Sequence, residues 1–227
     1  MKKISWNAPL LFVGTVSTAA GLRLLKGSRN AADMIEVRVD ALRQAGVPDS
    51  AIEAALRGRK HPVLLTLRIR QEGGEYAWRA RERIDLFLRL IPFADAVDLE
   101  LATVERLPQV LACARRLKKA VVLSAHSIQR RPSAPLLRHW CAAFRRYRVR
   151  VYKIAARVKS RSDLHRLASI LIGQPRQPWA VMGVGPGAAV SRRVLAGLGS
   201  RLVYGYLDRP AAPGQPSVRR LRETLGA

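Results

Sequence analysis

The stretch Val149-Arg150-Val151-Tyr152-Lys153-Ile154-Ala155-Ala156 reads as a buried β-strand interrupted by a single charge, that of Lys153. A charged, unpaired amine inside such a run costs several kcal/mol, so a buried lysine tends to give up its proton. A neutral amine in a dry pocket is a nucleophile for carbonyls, which is the starting point of imine chemistry. The bland alternative is a lysine near a strand end whose stem snorkels to water. The company that the rest of the chain brings to Lys153 decides between the two.

Short apolar runs like this one recur about every 25 to 30 residues, the rhythm of βα units. They cover Leu10–Val16, Met34–Val39, Val63–Arg68, Ala94–Leu101, Ala120–Ser124, Val149–Ala155, Trp179–Gly183 and Leu202–Tyr206. Helical periodicity fills Ala80–Leu90, Val104–Leu117, Leu136–Tyr147, Asp163–Ile172 and Ser191–Leu198. Ser217–Leu225 makes a last helix with Ser217 as its N-cap. The alternation predicts an α/β fold, a (β/α)8 TIM barrel. No glycine-rich dinucleotide fingerprint follows the first strand to favour a doubly wound sheet. No linker or low-complexity segment divides residues 1–227, which are expected to form one barrel domain.

Side-chain parity sharpens this reading, because alternate residues of a strand share a face. Glu36, Arg38 and Asp40 share one face of the second run, and Thr66 with Arg68 share one face of the third. Asp98 with Glu100, Ser124 with His126, and Lys153 do the same in the runs that follow. The opposite faces are apolar and suit packing against helices. The polar faces then point into the barrel, near the carboxyl ends of the strands, where barrel enzymes build their sites.

Charge is the other conspicuous property. The 227 residues carry 41 Lys and Arg against 16 Asp and Glu, a formal +25. Of those cations 33 are arginine and eight are lysine. The densest cluster, Arg145-Arg146-Tyr147-Arg148-Val149-Arg150, leads straight into a strand. No zinc-finger spacing, basic zipper or aromatic sheet motif accompanies it, so specific nucleic-acid recognition is not expected. A solvated, arginine-rich surface that attracts anionic substrates is the simpler reading. Cys113 and Cys141 have neither CxxC nor metal-ligand spacing and fit reduced thiols of a cytoplasmic protein. The apolar run Leu10–Val16 is too short to span a membrane.

Several stretches together resemble one family. Glu36-Val37-Arg38-Val39-Asp40 is similar to the ExRxD segment of type I 3-dehydroquinate dehydratases, and Thr66 through Gly74 to their TxRxxxEGG. Ser124-Ala125-His126 with Pro132 resembles SxHDFxxTP, and Tyr152-Lys153-Ile154-Ala155 resembles the xKIA strand. Met182-Gly183 with Ser191-Arg192 resembles MGxxGxxSR, and Ala211-Ala212-Pro213-Gly214-Gln215 resembles SAPGQ. The order is right and spans about Pro9 to Leu225.

The resemblance implies a (β/α)8 barrel, usually a homodimer, that removes water from 3-dehydroquinate without a metal or other cofactor. It implies that Lys153 forms a Schiff base with the C3 ketone. His126 would take the C2 proton and return it to the departing C1 hydroxyl, and Glu72 would orient His126. Arg192 would clamp the substrate carboxylate, since a guanidinium fork matches two carboxylate oxygens. Glu36, Arg38, Arg68 and Gln215 would hold hydroxyls and carboxylate, with pairing among themselves as the alternative for some of them. The Pro- and Gly-rich segment Asp208–Ser217 would act as a lid that delivers Gln215.

Three departures stand out. Ala211 replaces the serine that opens the lid motif. Ser127, Ile128 and Arg131 replace the family's aspartate, phenylalanine and threonine after the histidine. Gly14 stands where a serine is common, with Thr15 or Ser17 as candidate substitutes. A lost neutral hydrogen bond costs about 1 kcal/mol, enough to weaken binding but not to abolish chemistry. Two other classes stay open from sequence. One is a different imine-forming barrel lyase such as an aldolase. The other is a basic nucleic-acid-binding protein on an inactive barrel, which would show strongly salt-dependent binding and no turnover.

Overall fold

Alternation along each strand sorts the apolar side chains into two separate cores. One lies between the strands and the surrounding helices and includes Ile35, Val37, Leu65, Leu99, Leu123 and Ile154. The other fills the interior near the amino ends of the strands, with Val13, Met34, Leu64, Ala96, Val122 and Val151. Two cores separated by one sheet are the signature of a closed barrel, whose interior is packed rather than hollow.

A computed structural model describes residues 4–27, 31–211 and 214–226. Among the described residues eight strands run parallel: β1 Leu11–Val16, β2 Met34–Arg38, β3 Val63–Thr66, β4 Ala96–Glu100, β5 Ala120–Ser127, β6 Val151–Arg157, β7 Trp179–Val184 and β8 Leu202–Tyr206. They pair in the order β7-β6-β5-β4-β3-β2-β1-β8. The seam between β7 and β8 closes without a regular ladder. The Val181 amide donates to Ser200 Oγ at 2.9 Å, and the Arg201 amide donates to the Trp179 carbonyl at 2.7 Å. Ser200 is fully buried and stands in for the missing strand pairing.

Outside lie helices α1 Val39–Gln44, α2 Asp49–Arg57, α3 Ala80–Leu90, α4 Pro108–Arg116, α5 Ala134–Phe144, α6 Arg161–Gly173, α7 Ala188–Gly197 and α8 Val218–Leu225. Ser133, Ser160 and Ser217 cap α5, α6 and α8 by accepting a backbone amide three residues on. Each such cap stabilises its helix by about 1 kcal/mol.

The predicted boundaries shift where local chemistry overrides periodicity. The second strand ends at Arg38, so Asp40 does not continue its inward face but lies in the first turn of α1. The third strand stops at Thr66, because Arg68 N donates to Asp40 Oδ1 and Ile69 N to Glu100 Oε1 instead of to a neighbouring strand. The helix expected over Val104–Leu117 splits, a 3₁₀ turn at Val104–Arg106 giving way to α4 at Pro108. Proline lacks the amide needed to continue a helix but suits its first turn. Helices α1 and α2 were not anticipated. Neither has a side-chain N-cap that would mark its start.

Candidate active site

The carboxyl ends of the strands surround one pocket lined by Thr15, Glu36, Arg38, Arg68, Glu72 and His126, and further round by Lys153, Arg192, Ala211 and Gln215. The residues given roles by the family resemblance therefore meet there, whereas Asp40, Asp98, Glu100 and Ser124 of the polar faces do not line it. Apolar side chains of Ile128, Ala155, Met182 and Val184 complete the wall.

Lys153 projects into this pocket from the middle of β6 and is only 4% exposed. Its surroundings correct the picture of an unpaired amine in an apolar run. Lys153 Nζ lies 3.0 Å from Asp98 Oδ2 and 3.6 Å from Glu36 Oε1. It also sits 4.1 Å from the centroid of the Tyr204 ring. Asp98 is held below the usual carboxylate range: burial pushes it up, but Arg68, Lys153 and the Ser124 hydroxyl more than reverse this. Strand pairing brings Ser124 level with Lys153 and His126 level with Ala155. His126 thus stands two residues, about 6 to 7 Å, above the lysine towards the pocket mouth.

His126 Nδ1 and Glu72 Oε2 are 2.7 Å apart. Glu72 reaches the histidine from a 3₁₀ turn, Arg70–Glu72, that only glycines can follow. Gly73 has φ +86°, and a side chain on Gly74 would stand 2.2 Å from the Arg68 carbonyl. Burial pushes the Glu72 carboxyl up to about 8, with Arg68 opposing and Glu100 and Asp98 adding to the rise. Burial also pushes His126 well below the usual imidazole value, reinforced by Arg68 and Lys153. The two groups titrate as a unit, and the proton that keeps Nε2 occupied belongs to the pair.

Arg192 is carried by α7, whose first turn presses on β7. A side chain at Gly183 would stand 2.2 Å from Ser191 Oγ, so glycine there is what lets Ser191 seat and Arg192 turn inwards. Arg192 is 3% exposed, and its Nε and Nη1 have no partner among the described residues. Burial lowers its pKa to about 10, which leaves it cationic at neutral pH. The other cations are engaged. Arg38 makes a bidentate pair with Asp40 at 2.8 and 2.6 Å. Arg68 spans Asp98 at 2.9 Å and Glu100 at 3.2 Å, and Arg83 holds the far oxygen of Glu100. Arg192 alone among these cations keeps buried donors unpartnered, and its orphaned guanidinium marks where an anion fits.

Gln215 is buried. Its Oε1 accepts the Ala211 amide at 2.7 Å, and its Nε2 lies 3.4 Å from Thr15 Oγ1. Thr15 Oγ1 in turn donates to Glu36 Oε2 at 3.2 Å. The segment proposed as a lid is tethered at its start, where Asp208 Oδ2 accepts the Ser17 and Thr18 amides at 2.8 Å each. Ala212 and Pro213 lie outside the described residues. Of the candidates near the first-strand departure, Thr15 enters the pocket, whereas Gly14 packs under Leu207 on the outer side. Asp98 and Tyr204 were not among the predicted site residues, and Thr15 was named only as a substitute for the missing serine. Parity had placed Asp98 on the inner face, but nothing in the sequence signals that it pairs with Lys153.

The family model for type I 3-dehydroquinase matches residues 12–227. A 3-dehydroquinate dehydratase from Methanocella arvoryzae is 32% identical over 196 residues, which covers 86% of either chain. Its counterpart from Hydrogenobaculum sp. is 29% identical over 201 residues, 87% of this chain and 88% of the relative. The crystal structure of 3-dehydroquinate dehydratase from Geobacillus kaustophilus has a similar fold, with a TM-score of 0.85 at 24% identity, over 96% of this chain and 90% of that one. The chain belongs to the type I 3-dehydroquinase family and is a hydro-lyase built on a TIM barrel.

Proposed function

We propose that the chain converts 3-dehydroquinate to 3-dehydroshikimate and water through an imine at Lys153. The observation that carries this reading is a buried lysine amine set below a histidine, in a pocket whose spare cation is an unpaired arginine. The substrate carboxylate neutralises Arg192 and orients the ring. Lys153 Nζ adds to the C3 carbonyl, and loss of that oxygen as water leaves a protonated imine. Asp98, ionised beside it, supports the cation. His126 Nε2 takes a proton from C2, and the electron pair moves onto the imine nitrogen to give an enamine. The enamine expels the C1 hydroxyl, which leaves as water with the proton from His126. Hydrolysis of the imine restores Lys153 and releases product, so one water is lost per turnover.

Glu72 fixes the ring orientation of His126 and adjusts its proton affinity. Glu36, Arg38, Arg68 and Gln215 bind or position the substrate hydroxyls. With Arg38 and Arg68 each tied to carboxylates, their part is to shape the field more than to donate new bonds. Ala211 offers no hydroxyl, which places more of the binding on Arg192. The reaction is the third step of chorismate biosynthesis in the shikimate pathway, carried out in the cytoplasm by a homodimer. Apolar side chains exposed on the neighbouring helices α6 and α7, Ile172, Val190 and Val194, and Leu198 just after α7, support self-association. Purified protein mixed with 3-dehydroquinate should generate the ultraviolet absorbance of a conjugated enone. Turnover only of aldol substrates in a parallel screen would replace this reading with an aldolase.

A further inference from the structure

The reaction occupies few of the 41 cations, and the arginine cluster before β6 takes no part in it. Parallel strands give a barrel two unlike ends, and Arg148 and Arg150 of that cluster lie at the end opposite the pocket, whereas Arg145 and Arg146 line other grooves. A groove of about 720 Å³ opens there, floored by Ala120, Val121 and Pro178, where β5, β6 and β7 begin. His126 is six residues up β5 from Ala120, about 20 Å away. Arg115, Lys118, Lys119, Arg148, Arg150 and Arg176 line the groove. None of the six forms an ion pair among the described residues, whereas the carboxylate beside them, Asp95, is taken by Arg59 at 2.8 Å. The end of α4 accounts for Arg115, since cations favour a helix C-terminus. It does not account for Arg148, Arg150 and Arg176, which lie in connections between elements.

Trp6 borders this groove and also an adjoining one of 350 Å³ that continues to Arg201 and Leu202. The Arg150 guanidinium stands 5.9 Å from the Trp6 ring centroid, and Arg201 Nη2 holds the Trp6 carbonyl at 2.9 Å. A basic track with an aromatic ring in its course is how proteins hold unpaired nucleotides without reading sequence. We propose that this end of the barrel binds single-stranded nucleic acid, phosphates against the arginines and a base against Trp6. A membrane-seeking face would need several exposed apolar side chains, and of the exposed ones only Leu117 is near in sequence, none of them lining the groove.

The test is fluorescence anisotropy of a labelled oligothymidylate with the full chain, titrated at several salt concentrations. With about five phosphates neutralised, log affinity should fall against log salt with a slope of about −3 to −4. The triple variant Arg148→Glu, Arg150→Glu, Arg176→Glu should lose binding while keeping the kcat of dehydration, which also verifies its fold. Trp6→Ala should weaken binding about tenfold. Should the triple variant misfold, the matching three Arg→Gln changes should still flatten the salt slope by about 2. Undetectable binding at low salt would overturn the proposal. So would equal binding by wild type and variants, or equal affinity for polyglutamate or phosphatidylserine vesicles.

A separate observation concerns Tyr204. Its side chain is buried, lines the pocket and faces Lys153, yet its hydroxyl has no partner among the described residues. Resting on the imine reading, the geometry points to Tyr204 as a further catalytic residue whose hydroxyl donates to the substrate's C3 oxygen while that oxygen becomes a leaving water. Tyr204→Phe should slow single-turnover imine formation, followed by rapid borohydride quench, about tenfold, with substrate affinity unchanged. Trapping at the wild-type rate would remove the role from Tyr204. Absence of trapping in both proteins would instead overturn the imine itself.

Discussion

The proton shared by His126 and Glu72 is the residue-scale quantity most open to measurement. Glu72 is raised to about 8 while His126 is depressed, so the dyad releases its proton, and frees Nε2 as a base, as pH rises towards that value. The kcat/KM profile of the free enzyme should therefore show an acid limb near pH 8. In Glu72→Gln the imidazole titrates alone, and burial with Arg68 and Lys153 nearby should move the limb down, below the usual imidazole value of about 6.5. A limb that stays in place would show that the two groups do not share the proton. Arg192 offers a second test. Arg192→Met should raise KM at least about 30-fold, since truncating one side of a buried charge pair costs about 2–5 kcal/mol. The same change should raise the melting temperature of the ligand-free enzyme, because it removes a buried charge with unsatisfied donors. Of this detail the sequence reveals the residue types and their faces. Lys153, His126 and Arg192 could be picked out because strand parity and short motifs are local. The Asp98–Lys153 pair could not, since it joins residues 55 positions apart.

Among elements, β7 is the strand joined to one neighbour by a seam and not by a regular ladder. Ser200→Ala would leave the buried Val181 amide without its acceptor, at about 1–3 kcal/mol. Chemical denaturation should register that loss while kcat holds, because the seam serves closure and not chemistry. Gly183→Ala acts differently. Its methyl group would meet Ser191, displace the start of α7 and carry Arg192 with it, so KM should rise with little change in kcat. Unchanged KM would mean that α7 absorbs the methyl without moving the arginine. The strands were legible because each is an apolar run with one polar face. Helix α1 was not, because it starts directly from the end of β2 with no capping side chain, and Asp40 is drawn into it by Arg38 and the Arg68 amide.

At the scale of the whole molecule, the barrel keeps its two ends for different purposes. One end collects charges of both signs and leaves one guanidinium, that of Arg192, without a partner among the described residues, and the other leaves its cations open. The formal +25 should also draw an anionic substrate to the protein. Raising ionic strength should then lower kcat/KM while leaving kcat almost constant, and a salt-independent kcat/KM would argue against steering. The alternation of strands and helices made the barrel readable from composition and periodicity. The distribution of charge between its ends was not, because it depends on which loops fold to which side. The central claim remains that Lys153 becomes covalently joined to substrate. Borohydride added during turnover with 3-dehydroquinate should inactivate the enzyme, and peptide mass spectrometry should find the reduced adduct on Lys153 alone. Full turnover by Lys153→Ala, or an adduct on another residue, would contradict the account.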